Sequence, residues 1–190
     1  MKRLFVRPYL AVLRVYFGRA KLPLSRLVDR CRPRAGLRLP PFASLEDYAA
    51  WMEAHLRWRP DRLAGLLDVF PSLEHAGWQL ERRGFIADDC DGLAYVAAQG
   101  ARQLADDPRD VYVVTLVLDP QRAALREAAH VICVFRAGDG WRVVSSGRLC
   151  PETYPTFWEA VRRNPYVGGR EVRFVEIRDA GLARAPAPGS

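Results

Sequence analysis

The stretch Asp88-Asp89-Cys90-Asp91-Gly92-Leu93-Ala94 decides how the fold of this 190-residue chain is interpreted. Either of its first two aspartates is suited to cap the free backbone amides at the start of a helix. After the cysteine, apolar residues recur at helical spacing, at Leu93, Ala94, Ala97, Ala98, Ala101 and Leu104. The sequence therefore predicts a helix that begins at Cys90 and holds the thiol on the inward edge of its first turn. The small alanines of this stripe would let the helix lie close against a sheet.

Strand-like segments follow this helix. Residues 111–118 are nearly continuous in β-branched and other apolar residues, and two further apolar runs at 129–135 and 141–146 flank the turn sequence Ala-Gly-Asp-Gly at 137–140. The pattern predicts an antiparallel hairpin in which Ala137 pairs with Gly140. In that register the side chains of His130 and Ser145 are diagonal neighbours on the same face.

A cysteine followed by a histidine on a neighbouring strand points to thiol chemistry. The thiolate is the nucleophile, and a helix N-terminus and a nearby imidazole both lower the pKa of a thiol. A third group usually fixes the imidazole tautomer. We therefore predict a cysteine-dependent hydrolase or acyltransferase whose catalytic residues are Cys90, His130 and Ser145. The competing interpretation of these residues is an inert buried thiol and a core histidine.

Three segments resemble the transglutaminase-like cysteine peptidases. Asp89–Ala94 resembles that family's G-D-C-D-D-F-A helix start, His130–Phe135 its H-x-W-V-E-V strand, and Gly140–Val144 its G-W-x-x-x strand. The resemblance spans roughly residues 78–147. It implies an α+β, papain-like/transglutaminase-like core, with the cysteine-bearing helix packed on an antiparallel sheet. It also implies attack of a thiolate on an amide of a protein or peptide substrate, with a histidine general base and a thioester intermediate.

The chain also departs from that family. Gly92 replaces the second acid of the motif, and Ser145 replaces the aspartate. A serine hydroxyl can accept a hydrogen bond from the imidazole, but it offers no negative charge to the imidazolium, so activity would be weakened or lost. Asp89 and Asp91 match positions where some relatives bind calcium. A helix cap and an exposed carboxylate explain them as well, and we predict no metal and no cofactor.

Positive charge is concentrated at the N-terminus. Residues 1–38 contain eleven of the 29 basic residues but only one of the 22 acidic ones. We divide the chain into a basic N-terminal arm with an amphipathic helix (1–40), a transglutaminase-like domain (41–180) and a disordered tail (181–190). The basic residues of 1–38 would suit an anionic partner, either nucleic acid or a membrane surface, or form a merely solvated extension.

Other site classes are not indicated. The four cysteines show no C-x-x-C spacing and are typical of reduced thiols, and no zinc, phosphate-loop or nucleophile-elbow motif occurs. No apolar run approaches the length needed to span a bilayer, so a cytoplasmic location is the default expectation. Two hypotheses follow: a thiol hydrolase, or a catalytically inactive relative that serves as a binding or assembly module through its basic arm.

Overall fold

A computed structural model describes residues 3–60, 70–119 and 129–188 of the chain. Its strands are β1 (Leu56–Trp58), β2 (Ile86–Asp88), β3 (Val111–Leu118), β4 (Ala129–Ala137), β5 (Gly140–Ser145), β6 (Arg148–Leu149) and β7 (Val172–Asp179). Strands β3 to β7 form one antiparallel sheet in the order β6-β5-β4-β3-β7, and β1 pairs with β2 in parallel.

Helices surround this sheet. They are α1 (Arg3–Val15), α2 (Lys21–Asp29), α3 (Leu45–His55), α4 (Leu73–Arg83), α5 (Cys90–Ala101) and α6 (Phe157–Arg163), and a π-helical turn (Tyr16–Ala20) joins the first two. The protein is therefore a mixed α+β fold with a five-stranded antiparallel sheet, as predicted at that level. Within the described ranges, every helix is too short or too polar to span a bilayer.

The sheet has a separate hydrophobic core on each face. Side chains of a strand alternate between the two faces, so Val131 and Cys133 of β4 join one core while Ile132 and Val134 join the other. The first, which we call the α5 core, is built with α3, α4 and α5. The second, the α6 core, is built with α6 and the loop that follows it. This division determines which side chains can meet.

The predicted hairpin and cysteine helix are confirmed. In the hairpin, Ala137 pairs with Gly140 and Ile132 with Ser145, which is the predicted register. Helix α5 begins at Cys90, where the Asp89 carboxylate accepts hydrogen bonds from two backbone amides of the first turn. Four alanines of this helix are buried, which lets it lie close to β4.

Helix α4 contains Gly77 and ends at Gly84, although glycine is unfavourable within helices. Ser72 caps its first turn, and Gly84 ends it in the left-handed conformation that glycine favours. Gly77 lies inside the helix because the extended chain crosses it there. A Cβ atom at this position would collide with the backbone of residues 35–37. Tertiary packing therefore explains a residue that local propensity counts against a helix.

The basic N-terminal segment is fastened to the domain by a buried ion pair. The Lys21 ammonium donates to the Asp91 carboxylate, and both side chains are 1% exposed. The same ammonium lies 5.0 Å from the ring centre of Phe17 and 4.6 Å from that of Phe70. These rings add cation–π attraction in a desolvated site. The second half of the segment predicted as an arm is thus part of the fold.

The π-helical turn is held from the other side by two arginines. Arg178 donates to the Phe17 carbonyl and Arg184 to the Gly18 carbonyl, each at 2.8–2.9 Å. Both guanidinium groups also contact the Glu176 carboxylate of β7. These hydrogen bonds connect the π-helical turn to β7 and to the residues that follow it.

The predicted disordered tail instead begins with ordered chain. Leu182 is 5% exposed, and its carbonyl accepts a hydrogen bond from Arg178. The Ala185 amide donates to the Ile177 carbonyl, which extends the pairing along the edge strand β7. Burial of a leucine and pairing with a strand provide the order that the Pro-rich composition did not indicate. Residues 189 and 190 lie outside the described ranges.

We expect Lys21→Met to destabilise the protein by about 3–5 kcal/mol, because it leaves the Asp91 carboxylate buried without its cation. Urea unfolding followed by circular dichroism measures the change. The double variant Lys21→Met/Asp91→Leu removes both charges, and most of the lost stability should return. A double variant as unstable as the single one would contradict this account.

Candidate functional site

Cys90 lies where the sequence predicts it, at the first residue of α5. Its side chain is half-buried and packs against the α5 core. The sulfur lies 3.8 Å from Oδ1 of Asp91, whose other oxygen accepts from Lys21. The thiol therefore adjoins a carboxylate that the fold uses to hold the N-terminal segment.

Gly92 has a structural reason to replace the acid found in the resembling family. A Cβ atom at position 92 would come within 2.5–2.7 Å of the Asp88 carboxyl group and the Pro71 ring. Such contacts are shorter than packed atoms tolerate. The junction between β2 and α5 therefore accepts only glycine without rearrangement, and this departure from the motif reflects packing.

His130 and Ser145 meet as the hairpin register predicts. Nε2 of His130 lies 2.9 Å from Oγ of Ser145, and the ring stacks on Tyr166 with 4.0 Å between ring centres. The histidine is 7% exposed. Burial lowers the pKa of His130 to about 4, because the imidazolium would lose its hydration. At neutral pH the ring is uncharged.

The structure does not bring Cys90 to this pair. His130 stands opposite Leu116 in the sheet, and Leu116 belongs to the α6 core. Tyr166, which covers the imidazole, packs against the same core. Cys90 packs against the α5 core on the other face. The structure therefore places the sulfur and the imidazole on opposite faces of the sheet, and the catalytic roles of Cys90, His130 and Ser145 stay predictions.

The physical reason is the parity of β4. The register argument puts His130 and Ser145 on a common face, but it does not say which face α5 covers. Odd-numbered residues such as Val131 and Cys133 pack under α5, so even-numbered residues point away from it. A register shifted by one residue would have placed the histidine beneath the cysteine helix.

The other thiols differ in burial. Burial raises the pKa of Cys133 well above its ordinary value, and burial together with the nearby Glu152 raises the pKa of Cys150 to about 11. Cys31 is exposed, Cys90 is half-buried, and Cys133 and Cys150 are buried. Among the described cysteines, Cys31 and Cys90 are the two with appreciable exposure, which makes Cys31 an internal reference for labelling experiments.

The acids beside Cys90 do not form a cation site in the described part of the chain. Asp89 accepts from the first-turn amides of α5, and Asp91 pairs with Lys21. No three His, Cys, Asp or Glu side chains converge among the residues that the structure describes. Two open grooves beside α4 involve other residues, and neither is lined by Cys90, His130 or Ser145.

Sequence reasoning missed two residues that shape these sites. Lys21 continues a buried stripe at four-residue spacing, from Phe17 through Lys21 and Ser25 to Asp29. A lysine on that stripe was a signal, because a buried ammonium requires an acidic partner. Tyr166 follows α6 in a glycine-containing loop, and its contact with His130 depends on tertiary packing alone.

Comparison with protein-family models, with curated proteins and with solved structures finds no match to this chain.

Because burial keeps His130 neutral, we expect the stability of the protein to fall on acidification. The pKa is about 4 in the folded state and about 6.5 when unfolded, so the contribution is complete above pH 6.5 and is lost as the pH falls towards 4. Between neutral pH and pH 5 the loss from this group is about 2 kcal/mol. Urea unfolding at several pH values measures it.

Two variants distinguish the contribution of His130 to the pH dependence of stability from the contribution of the carboxylates. His130→Gln removes the titrating ring and should flatten the pH dependence over that interval. His75→Gln changes a half-buried histidine on α4 and serves as the matched control. An equally steep dependence in His130→Gln would show that another group is responsible.

Proposed function

We propose that this chain is a catalytically inactive relative of the transglutaminase-like cysteine peptidases that serves as a binding module for an anionic partner. The observation that carries the proposal is the separation of Cys90 and His130 on opposite faces of the sheet. General-base catalysis requires the base within hydrogen-bond reach of the proton it accepts. The sheet lies between the Cys90 thiol and the His130 imidazole, so the imidazole is not within hydrogen-bond distance of the thiol.

The surroundings of His130 support the inactive interpretation. Its Nε2 is engaged by Ser145, and one face of its ring is covered by Tyr166. A general base works best when its pKa lies near the working pH, and the pKa of this imidazole is lowered to about 4 by burial. The pair of His130 and Ser145 is better explained as a buried polar group with a satisfied hydrogen bond.

Asp91, which belongs to the motif that resembles the family, has a structural role in this chain. In the family's motif an acid directly follows the nucleophile, and here the acid at that place, Asp91, holds Lys21 in a buried ion pair. The cysteine motif is thus the attachment point of the basic segment. The cysteine-bearing helix on an antiparallel sheet agrees with descent from that family, an argument by fold-level analogy.

The basic segment supports an anionic partner. Arg19, Arg26 and Arg30 are exposed, whereas Asp29, the only acid in residues 1–38, is 5% exposed and accepts from the Ser72 amide. Positive charge therefore faces solvent while the negative charge is turned inward. A surface with one sign of charge attracts oppositely charged partners and accelerates their association.

The hydrolase is the second candidate, favoured by the half-buried position of Cys90 at a helix N-terminus. Alkylation by iodoacetamide near neutral pH, followed by peptide mass mapping, separates the two. We expect the labelling rate of Cys90 to change by less than about twofold in His130→Ala, since the imidazole does not contact the thiol. The exposed Cys31 provides the reference rate in the same sample. A tenfold or greater fall confined to Cys90 would instead support a catalytic pair.

The anionic partner is tested with arginine variants of matched charge. The triple variant Arg19→Gln/Arg26→Gln/Arg30→Gln should leave a heparin column at a clearly lower salt concentration than the wild type, because each ion contact contributes to the salt dependence. The control triple Arg82→Gln/Arg102→Gln/Arg136→Gln removes three exposed arginines elsewhere, so it changes net charge equally. Identical elution of the two triples would show that net charge alone is responsible.

A further inference from the structure

The helical segment from α1 to α2 presents one continuous exposed stripe. We call it the outer stripe and define it as Val12, Val15, Arg19, Pro23, Leu27 and Arg30, with Arg26 beside it. All are exposed, and they recur every three or four residues. Such spacing keeps side chains on one side of a helix. The opposite side, through Phe17, Lys21 and Ser25, is the buried one.

The apolar members of the outer stripe are unusually exposed. Val12 is 65% exposed, Val15 58% and Leu27 60%, and they are three of the five exposed large hydrophobic side chains among the described residues. Scattered single cases are normal on a protein surface, but here three fall on one stripe of one segment. Arginines share this exposed side with them, and the segment's one acidic side chain is buried on the other side.

We propose that the outer stripe docks on the surface of an anionic lipid bilayer. The segment lies in the plane of the interface, with its valines and leucine at the boundary of the acyl chains and its arginines against the headgroup phosphates. This inference rests on the proposed function in taking the partner as anionic. It adds that the partner must also bury aliphatic surface.

Aliphatic side chains favour lipid over nucleic acid. Arginines on a nucleic-acid surface contact phosphates, and exposed bases stack on aromatic rings. The outer stripe contains no aromatic residue, so contact with phosphates alone would leave Val12, Val15 and Leu27 in water. A bilayer interface provides both phosphates and an apolar layer within the radius of one helix.

The folded domain already holds the segment in the helical conformation in which it would bind the membrane. The Lys21–Asp91 ion pair fixes it to α5, and the guanidinium of Arg178 fixes the Phe17 carbonyl. The stripe is therefore helical before it meets a membrane, and it is attached to a folded domain. Binding then avoids much of the ordering cost that an unfolded peptide pays. From Val12 to Arg30 the helix spans about 27 Å, which is a docking surface rather than a single contact.

Sedimentation of the full chain with vesicles tests the proposal. Vesicles of phosphatidylcholine containing phosphatidylglycerol are compared with pure phosphatidylcholine vesicles, and the double variant Val12→Gln/Val15→Gln is compared with the wild type. The variant keeps every charge, so an effect reports burial of aliphatic surface. We expect its partition coefficient on the anionic vesicles to fall roughly tenfold, from the lost burial of two valines. The wild type should bind pure phosphatidylcholine far more weakly.

The matched control changes two exposed aromatic residues outside the stripe. Trp58→Gln/Phe85→Gln removes apolar surface that is likewise exposed, and it should partition as the wild type does. Thermal unfolding of all variants verifies that they fold. A valine variant that partitions like the wild type would overturn the proposal, as would equal binding to both vesicle types.

Other partners of the outer stripe would give different results in these binding experiments. Tighter binding to a DNA duplex than to anionic vesicles, with no change in the valine variant, would replace lipid by nucleic acid and leave the anionic proposal intact. A dimer that dissociates in the valine variant, without vesicle binding, would assign the stripe to a second copy of the chain. If neither heparin, DNA nor vesicles retain the protein, the proposed function itself fails along with the lipid surface.

Discussion

The alternation of side chains along β4 is the constraint on which the functional interpretation depends. A strand in the middle of a sheet sends neighbouring residues to opposite faces, and helices on both faces turn this into two separate cores. His130 therefore shares an environment with Leu116 and Tyr166, whereas Cys90 shares one with Val131 and its neighbours. No rotation of either side chain exchanges these environments, because the strand backbone lies between them.

Local patterns predict most of the sheet and α5 because each is specified by nearby residues. The Ala-Gly-Asp-Gly turn sets the hairpin register, and Asp89 sets the start of the cysteine helix. Contacts between elements that are distant in the sequence are not specified by nearby residues. Which face of β4 receives α5 depends on the connection between them, and Gly77 is compatible with a helix only because residues 35–37 cross it. The motif thus indicated the elements of a catalytic site without fixing how they face each other.

The N-terminal segment illustrates how composition misleads about packing. Its excess of arginine and its prolines indicate an extension, but four-residue spacing from Phe17 to Asp29 marks a buried side. Lys21 and Asp29 on that side carry charges that only partners elsewhere in the chain can satisfy, and Asp91 and the Ser72 amide supply them. Charged residues on the buried side of the segment therefore indicate that the segment packs on the rest of the chain. The net charge of the segment alone does not show this.

The buried ion pair joins the N-terminal helical segment to the cysteine-bearing helix. Burying a lysine and an aspartate gains little stability over apolar packing, yet it penalises any arrangement in which either partner lacks the other. It therefore specifies one position of the helical segment relative to α5. That specificity turns the exposed side of the segment, with its valines and arginines, outward as a fixed surface. Asp91, beside Cys90, thereby determines which side of the helical segment faces solvent.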